Sequence, residues 1–315
     1  MKFKKILIIG IDENKLDSVY WDRIKSSSDL IVSLPKDSPD IFTELKDVDC
    51  LLVNFGVMVS KQTIDLAGNL KYIGILATAY GKVDFSYAKS KGIVVTNLPG
   101  YSTESVAEFI IAVILENIRG LEEGKHRTRN KNYSESEIPA REIKDSNFGV
   151  LGLGRIGLRV AELAVGFGAQ VIYWSRNRKQ EAEEKGIQYT DLEKLLSESD
   201  FISINLAQTP ETENFLNKDR LQKIKKGAVV VNTAAMELVD LNGLTQRLKE
   251  GDITFILDHS DEMSEADLKK LSQYQNCIIY PPIGYITNEA RIAKQEMFVG
   301  NIEAFLEGKP QNTIN

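Results

Sequence analysis

The sequence predicts an α/β protein built as two doubly wound parallel-sheet domains. Three observations predict it. Apolar runs of strand length alternate with helical stretches along the chain, the pattern of a parallel sheet. The length, 315 residues, suits two domains of ordinary size. Residues 147–178, NFGVLGLGRIGLRVAELAVGFGAQVIYWSRNR, read as a strand, a glycine turn, a helix and a second strand.

The elements follow in order. Residues 1–98 form a first, flavodoxin-like unit with strand candidates at Ile6–Ile9, Leu30–Val32, Cys50–Val53, Tyr72–Leu76 and Ile93–Thr96. Helical stretches fall between them, for example Leu16–Ile24, Lys61–Ala67 and Phe85–Lys91. Leu98-Pro99-Gly100 reads as a hinge, and Glu104 to Leu121 as one long apolar helix with a wide buried face. Residues 122–146 are polar and charged and read as a surface excursion. Six further strand candidates follow: Phe148–Leu151, Gln170–Trp174, Phe201–Asn205, Ala228–Asn232, Thr254–Asp258 and Cys277–Tyr280. Six strands fit two βαβαβ halves. The last helix, Asn288 to Glu307, is expected to pack back on the first unit. Domains are therefore expected at 1–98 plus 287–315, and at 99–286.

Gly152, Gly154 and Gly157 give the spacing G-x-G-x-x-G, with Arg155 and Ile156 inside it. The first glycine permits the turn, the second lets the backbone approach a pyrophosphate, and the third lets the helix pack close to the strand. The helix N-terminus offers free N–H groups to phosphates. Alone, this spacing is a weak signal. Flanked by both strands and the helix, it predicts a Rossmann cofactor domain. Such a site for NAD(H) usually ends its second strand in Asp or Glu, which bonds the ribose 2′-hydroxyl. Here the strand runs into Ser175, Arg176, Asn177, Arg178 and Lys179. A 2′-phosphate would meet a hydroxyl and two or three cations, so NADP(H) is favoured. NAD(H) remains open.

Composition narrows the rest. The apolar share is 43%, the charged share 27% and the net charge −6, as in a soluble globular protein with no call for nucleic acid. The apolar run in MKFKKILIIG is too short for a signal peptide, and no stretch suits a membrane span. Cys50 and Cys277 read as small core residues in a reducing cytoplasm. His126 and His259 lack metal-like spacing, so no metal is expected.

Further motifs are ATAYGKVD (77–84), NLPGYSTESVAEF (97–109), TPETENFLN (209–217), VVVNTAAMELVD (229–240), LDHSDEM (257–263) and PPIGYITNEA (281–290). With GLGRIG, these resemble the D-isomer-specific 2-hydroxyacid dehydrogenase family along almost the whole chain. The match is best with its glycerate, hydroxypyruvate and glyoxylate reductase branch. The resemblance implies a discontinuous substrate domain, a central cofactor domain and a homodimer paired through the cofactor domains. It implies cofactor contacts at Thr209, Pro210, Thr233, Ala234, Asp258 and Gly284. It also implies a small-molecule substrate pocket with Ala77, Thr78, Ala79, Tyr80 and Tyr285.

The family's chemistry is hydride transfer coupled to proton transfer. An Arg polarises the keto oxygen, a His gives the proton and a Glu supports that His. General acid catalysis contributes about 10²–10⁴-fold and a placed cation roughly 10²–10³. Carried over position by position, the Arg after Asn232-Thr233-Ala234 is Ala235, the Glu five residues past Asp258 is Met263, and the His before Ile283-Gly284 is Pro282. Glu262 stands one residue from the Glu position. Met236 replaces the glycine that follows the Arg, and Thr254, Phe255 and Ile256 stand where small residues are usual. Tyr80 and His259 are the weak substitutes for the proton donor. His259 also reads as an ordinary surface histidine, and Tyr80 as a stacking residue. Two readings stay open: an NADP(H)-preferring oxidoreductase with altered catalysis, or an inactive dinucleotide-binding homologue serving as sensor or partner subunit.

Overall fold

The computed structural model describes residues 2–79, 81–138 and 140–314. It separates into two compact units, Met1–Ser102 with Thr287–Asn315, and Thr103–Ile286. Each has its own parallel sheet with apolar layers on both faces.

The smaller unit holds β1 (Phe3–Ile9), β2 (Ser28–Leu34), β3 (Cys50–Val53), β4 (Tyr72–Ile75) and β5 (Val94–Thr96), ordered β2-β1-β3-β4-β5. All residues of β3 and β4 are buried, as expected of strands covered on both faces. One layer gathers Leu7, Leu51 and Ile73, the other Ile6, Leu52 and Tyr72, because successive side chains point to opposite faces. The helix Asn288–Leu306 lies in this second layer through Phe298, Val299 and Ile302.

The larger unit holds β6 (Asn147–Leu151), β7 (Gln170–Trp174), β8 (Gln188–Tyr189), β9 (Phe201–Ile204), β10 (Val229–Asn232), β11 (Thr254–Leu257) and β12 (Cys277–Ile279). Their order is β12-β11-β10-β9-β6-β7-β8, all pairs parallel. The sheet thus has seven strands where the sequence pattern gave six. The added strand, β8, is two exposed residues at the edge, with no apolar run to mark it. Strand order reverses between β9 and β6, and ligands in such sheets bind outside the carboxyl ends there. The helix Arg155–Gly166 buries Gly157, Val160, Ala161 and Ala164, one stripe at helical spacing.

The long apolar helix is shorter than expected, Thr103–Ile118. Gly120 at φ +56° takes the left-handed conformation that ends a helix, and a second helix, Leu121–Arg129, starts at the residue read as the first helix's end and runs into the stretch read as an excursion. Cys50 and Cys277 are buried and unpaired. Among the described residues no helix is long and apolar enough to cross a membrane.

Candidate functional site

The glycine turn follows β6. Gly152 sits at φ +92°, and a Cβ there would lie 2.7 Å from the Asn205 carbonyl oxygen. Only glycine fits both demands. A Cβ on Gly157 would strike the Gly152 carbonyl oxygen, so this helix can lie close to its strand only with glycine there. Gly154 differs. Nothing lies within 4 Å of its Cβ position, and its backbone is extended at φ −79° and ψ −163°. That open side is where a ligand can approach the backbone. Gly154 also caps the helix with no side chain, leaving the first N–H groups of Arg155, Ile156 and Gly157 available to an anion. Ile156 packs on the core and Arg155 is exposed.

At the end of β7 a cavity of about 510 Å³ is lined by Trp174, Ser175, Arg176, Leu206, Thr209 and Phe215, among others. The loop after β9 is folded on Thr212, whose Oγ1 accepts the Thr209 N–H at 2.8 Å, with Pro210 exposed between them. The basic turn is less basic toward this cavity than the sequence suggested. Arg178 binds Glu183 through two bonds of 2.6 Å and lies over the Tyr189 ring. Arg176 is the one cation in the cavity lining. The Ser175 hydroxyl donates to the Asn177 carbonyl at 2.6 Å, so its proton is already engaged.

At the ends of β10 and β11 the polar groups are buried. The Ala234 N–H donates to Asn232 Oδ1 at 3.1 Å, and half-buried Thr233 stands between them. Asp258 is 3% exposed. Its Oδ2 accepts the Gly284 N–H at 2.9 Å, while Oδ1 is buried without a partner. Burial pushes the Asp258 carboxyl pKa up, opposed by His259 and the Gly284 N–H. Asn205 Oδ1, past the end of β9, is likewise buried and unpartnered. Buried acceptors without donors need an explanation. A carboxamide group would supply N–H donors. The glycine turn, the cavity and the orphaned acceptors therefore fit a nicotinamide dinucleotide.

Ala235 caps a single turn, Met236–Leu238, and Met236 Sδ lies 3.2 Å from Asn232 Nδ2. Met263 follows another such turn, Ser260–Glu262, and packs on the larger unit's core. Pro282 lies half-buried in the loop after β12. None of the three side chains can carry charge or donate a proton.

His259 Nε2 is 3.0 Å from the Thr233 carbonyl oxygen, and Nδ1 is buried without a hydrogen bond, 3.8 Å from Glu262 Oε1. The imidazole is thus held among the site's carboxylates, not turned out to solvent. Burial pushes the Glu262 carboxyl pKa up, against His259 and with Asp261, Glu237 and Asp258. Burial also raises the Tyr285 pKa, helped by Asp261 and Asp258, which weakens that phenol as an acid.

Tyr80 lies outside the described residues. In the smaller unit Thr78 Oγ1 donates to the Leu98 carbonyl at 2.9 Å, and the Thr78 carbonyl accepts from Asn97 Nδ2 at 2.5 Å. Ala77 is half-buried, and Ala79 is exposed. Sequence reasoning missed Asn205 and Glu237, since a single polar residue past a strand carries no spacing signal.

The model of the D-isomer specific 2-hydroxyacid dehydrogenase NAD binding domain matches residues 111–284. The chain is 35% identical over 285 residues to a glyoxylate reductase of Thermococcus litoralis, covering 87% of this chain and 86% of that protein. It is 32% identical over 288 residues to a hydroxypyruvate reductase of Blautia hydrogenotrophica, covering 89% and 88%. A D-lactate dehydrogenase from Aquifex aeolicus, solved with NAD and lactic acid, superposes with a TM-score of 0.85 at 29% identity, over 98% of each chain. An acyclic imino acid reductase, solved with NADPH and D-Arg, superposes at 0.84 and 27% identity, over 99% and 100%. The chain belongs to the D-isomer specific 2-hydroxyacid dehydrogenase family. Its larger unit carries the family's NAD-binding domain.

Proposed function

We propose that the chain is an NADP(H)-preferring oxidoreductase whose acceptor brings its own proton. The observation that carries this is the uncharged set Ala235, Met263 and Pro282, beside a turn and a buried Asp258 that fit a dinucleotide. In this reading Gly152, Gly154, Arg155, Ile156 and Gly157 hold the pyrophosphate. Ser175, Arg176, Thr209 and Pro210 flank the adenosine. Thr233, Ala234, Asp258 and Gly284 orient the carboxamide. The family resemblance gives a substrate-contact role to Tyr285 in the larger unit and, separately, to Ala77, Thr78 and Ala79 in the smaller. It also supports residues 1–98 plus 287–315 as substrate domain, 99–286 as cofactor domain, and a homodimer, and the unpaired Cys50 and Cys277 suit a cytoplasmic location.

Bound there, the reduced nicotinamide supplies a hydride. A keto acid taking that hydride becomes an alkoxide and needs a proton donor and a cation. A protonated imine needs neither. Hydride adds at its carbon, the C=N π pair becomes the nitrogen lone pair, and a neutral amine results. Asp258, Asp261, Glu262 and Glu237 favour a cationic acceptor over an anionic one. The likeness to an imino acid reductase solved with NADPH points the same way. The test is NADPH oxidation with a 2-keto acid, with and without ammonia or a primary amine. Turnover that depends on the amine supports the reading, and equal turnover without it overturns it.

The same three side chains also suit a dinucleotide-binding protein without turnover. Tight NADPH binding with no oxidation across carbonyl and imine panels would establish that instead.

A further inference from the structure

The cavity at the end of β7 contains one cation, Arg176, and one carboxylate, Glu211. They come from different loops, after β7 and after β9. Arg178 is consumed by Glu183, but Arg176 has no ion-pair partner within 4.0 Å among the described residues. Its charge nevertheless reaches Glu211. The Glu211 carboxyl is held below its ordinary pKa range by the Thr209 hydroxyl first, then by its own backbone N–H, with Arg176 adding to both. Cation and carboxylate thus stand near one another, exposed and unbonded to each other, on one ligand-sized cavity.

We propose that Glu211 tempers the choice between the two dinucleotides: it accepts the ribose 2′-hydroxyl of NAD(H) and opposes the 2′-phosphate of NADP(H) that Arg176 attracts. This rests on the reading that a dinucleotide occupies the glycine turn. The fold usually draws its 2′-hydroxyl acceptor from the end of the second strand. That strand ends here in Ser175 and Arg176, and the neighbouring loop brings a carboxylate to the same cavity. A hydroxyl gains a charge-assisted bond from it, and a phosphate meets a like charge. Preference for NADP(H) is therefore modest, the difference between an attraction and a repulsion.

The test is binding, not turnover. NADPH, NADH, 2′,5′-ADP and 5′-AMP are titrated calorimetrically against the wild type, Glu211→Gln and Arg176→Ala, with thermal unfolding as the folding control. Both side chains are exposed, so the variants should fold. In Glu211→Gln, NADPH and 2′,5′-ADP should tighten about threefold, as expected for removal of one exposed like charge. NADH should weaken about tenfold with loss of a charged acceptor. Equal shifts for both dinucleotides, or none, would overturn the proposal. Arg176→Ala addresses the underlying reading separately. It should cost NADPH and 2′,5′-ADP affinity and spare 5′-AMP. An unchanged NADPH affinity there sinks the phosphate reading without touching the Glu211 result. If neither dinucleotide binds the wild type, both fall.

Discussion

Asp258 and Gly284 interlock. Asp258 Oδ2 accepts the Gly284 N–H at 2.9 Å, and a Cβ on Gly284 would stand 2.5 Å from that same oxygen. The Phe109 ring would lie 3.1 Å from that Cβ, and the Ser105 hydroxyl donates to the Gly284 carbonyl at 2.7 Å. The glycine thus fixes one carboxylate oxygen, while the other is buried without a hydrogen-bond partner.

Gly284→Ala should push that carboxylate out of place. We expect a loss of about 1–3 kcal/mol in stability from overpacking, together with weaker NADPH binding. Thermal unfolding with and without NADPH measures both. A variant with unchanged melting and unchanged ligand-induced stabilisation would contradict the interlock.

Asp258→Asn should stabilise the ligand-free protein at neutral pH. Burial raises the carboxyl above its ordinary value of 3.8, so folding takes up a proton. Stability is then full below 3.8, falls as pH rises through the window above it, and stays lower beyond. Removing the charge removes that loss. The Tm difference should be positive at pH 7 and shrink as pH falls toward 4. A difference that grows on acidification would reverse the assignment.

Gly154→Ala and Gly157→Ala should separate binding from folding. Nothing opposes a Cβ at Gly154, so its variant should melt within about 0.5 kcal/mol of wild type yet bind NADPH more weakly. At Gly157 the Cβ meets the Gly152 carbonyl, so stability and binding should fall together. Equal melting of the two variants would refute the distinction.

Glyoxylate and hydroxypyruvate should be reduced at least about 10³-fold more slowly than by an ordinary reductase of this family, given a missing acid and a missing cation. Ala235→Arg with Met263→Glu and Pro282→His should raise that rate, read as NADPH oxidation at saturating keto acid. Brisk wild-type reduction would show the alignment of these three positions to be wrong.

The sequence exposed the larger unit's plan because its signals are local. Gly152 takes a positive φ of its own, Gly157 answers to the Gly152 carbonyl five residues back, and β9 and β10 are mostly apolar, FISI and VVVN. β8 escaped because two exposed edge residues, Gln188 and Tyr189, leave no pattern. The break at Gly120 escaped because the apolar spacing continues through Leu121, and a single left-handed glycine outweighs it.

By itself, then, the sequence determined the alternation of strands and helices, the glycine turn and the identity of Ala235, Met263 and Pro282. Periodicity, positive φ and residue type are properties of neighbours along the chain. Only the tertiary structure decided which charged groups share a surface. It gave Arg178 to Glu183, set Arg176 and Glu211 on one cavity, and held His259 between Asp258 and Glu262. Ion pairs and hydrogen bonds act over a few ångströms of space, and separation along the chain does not fix that distance.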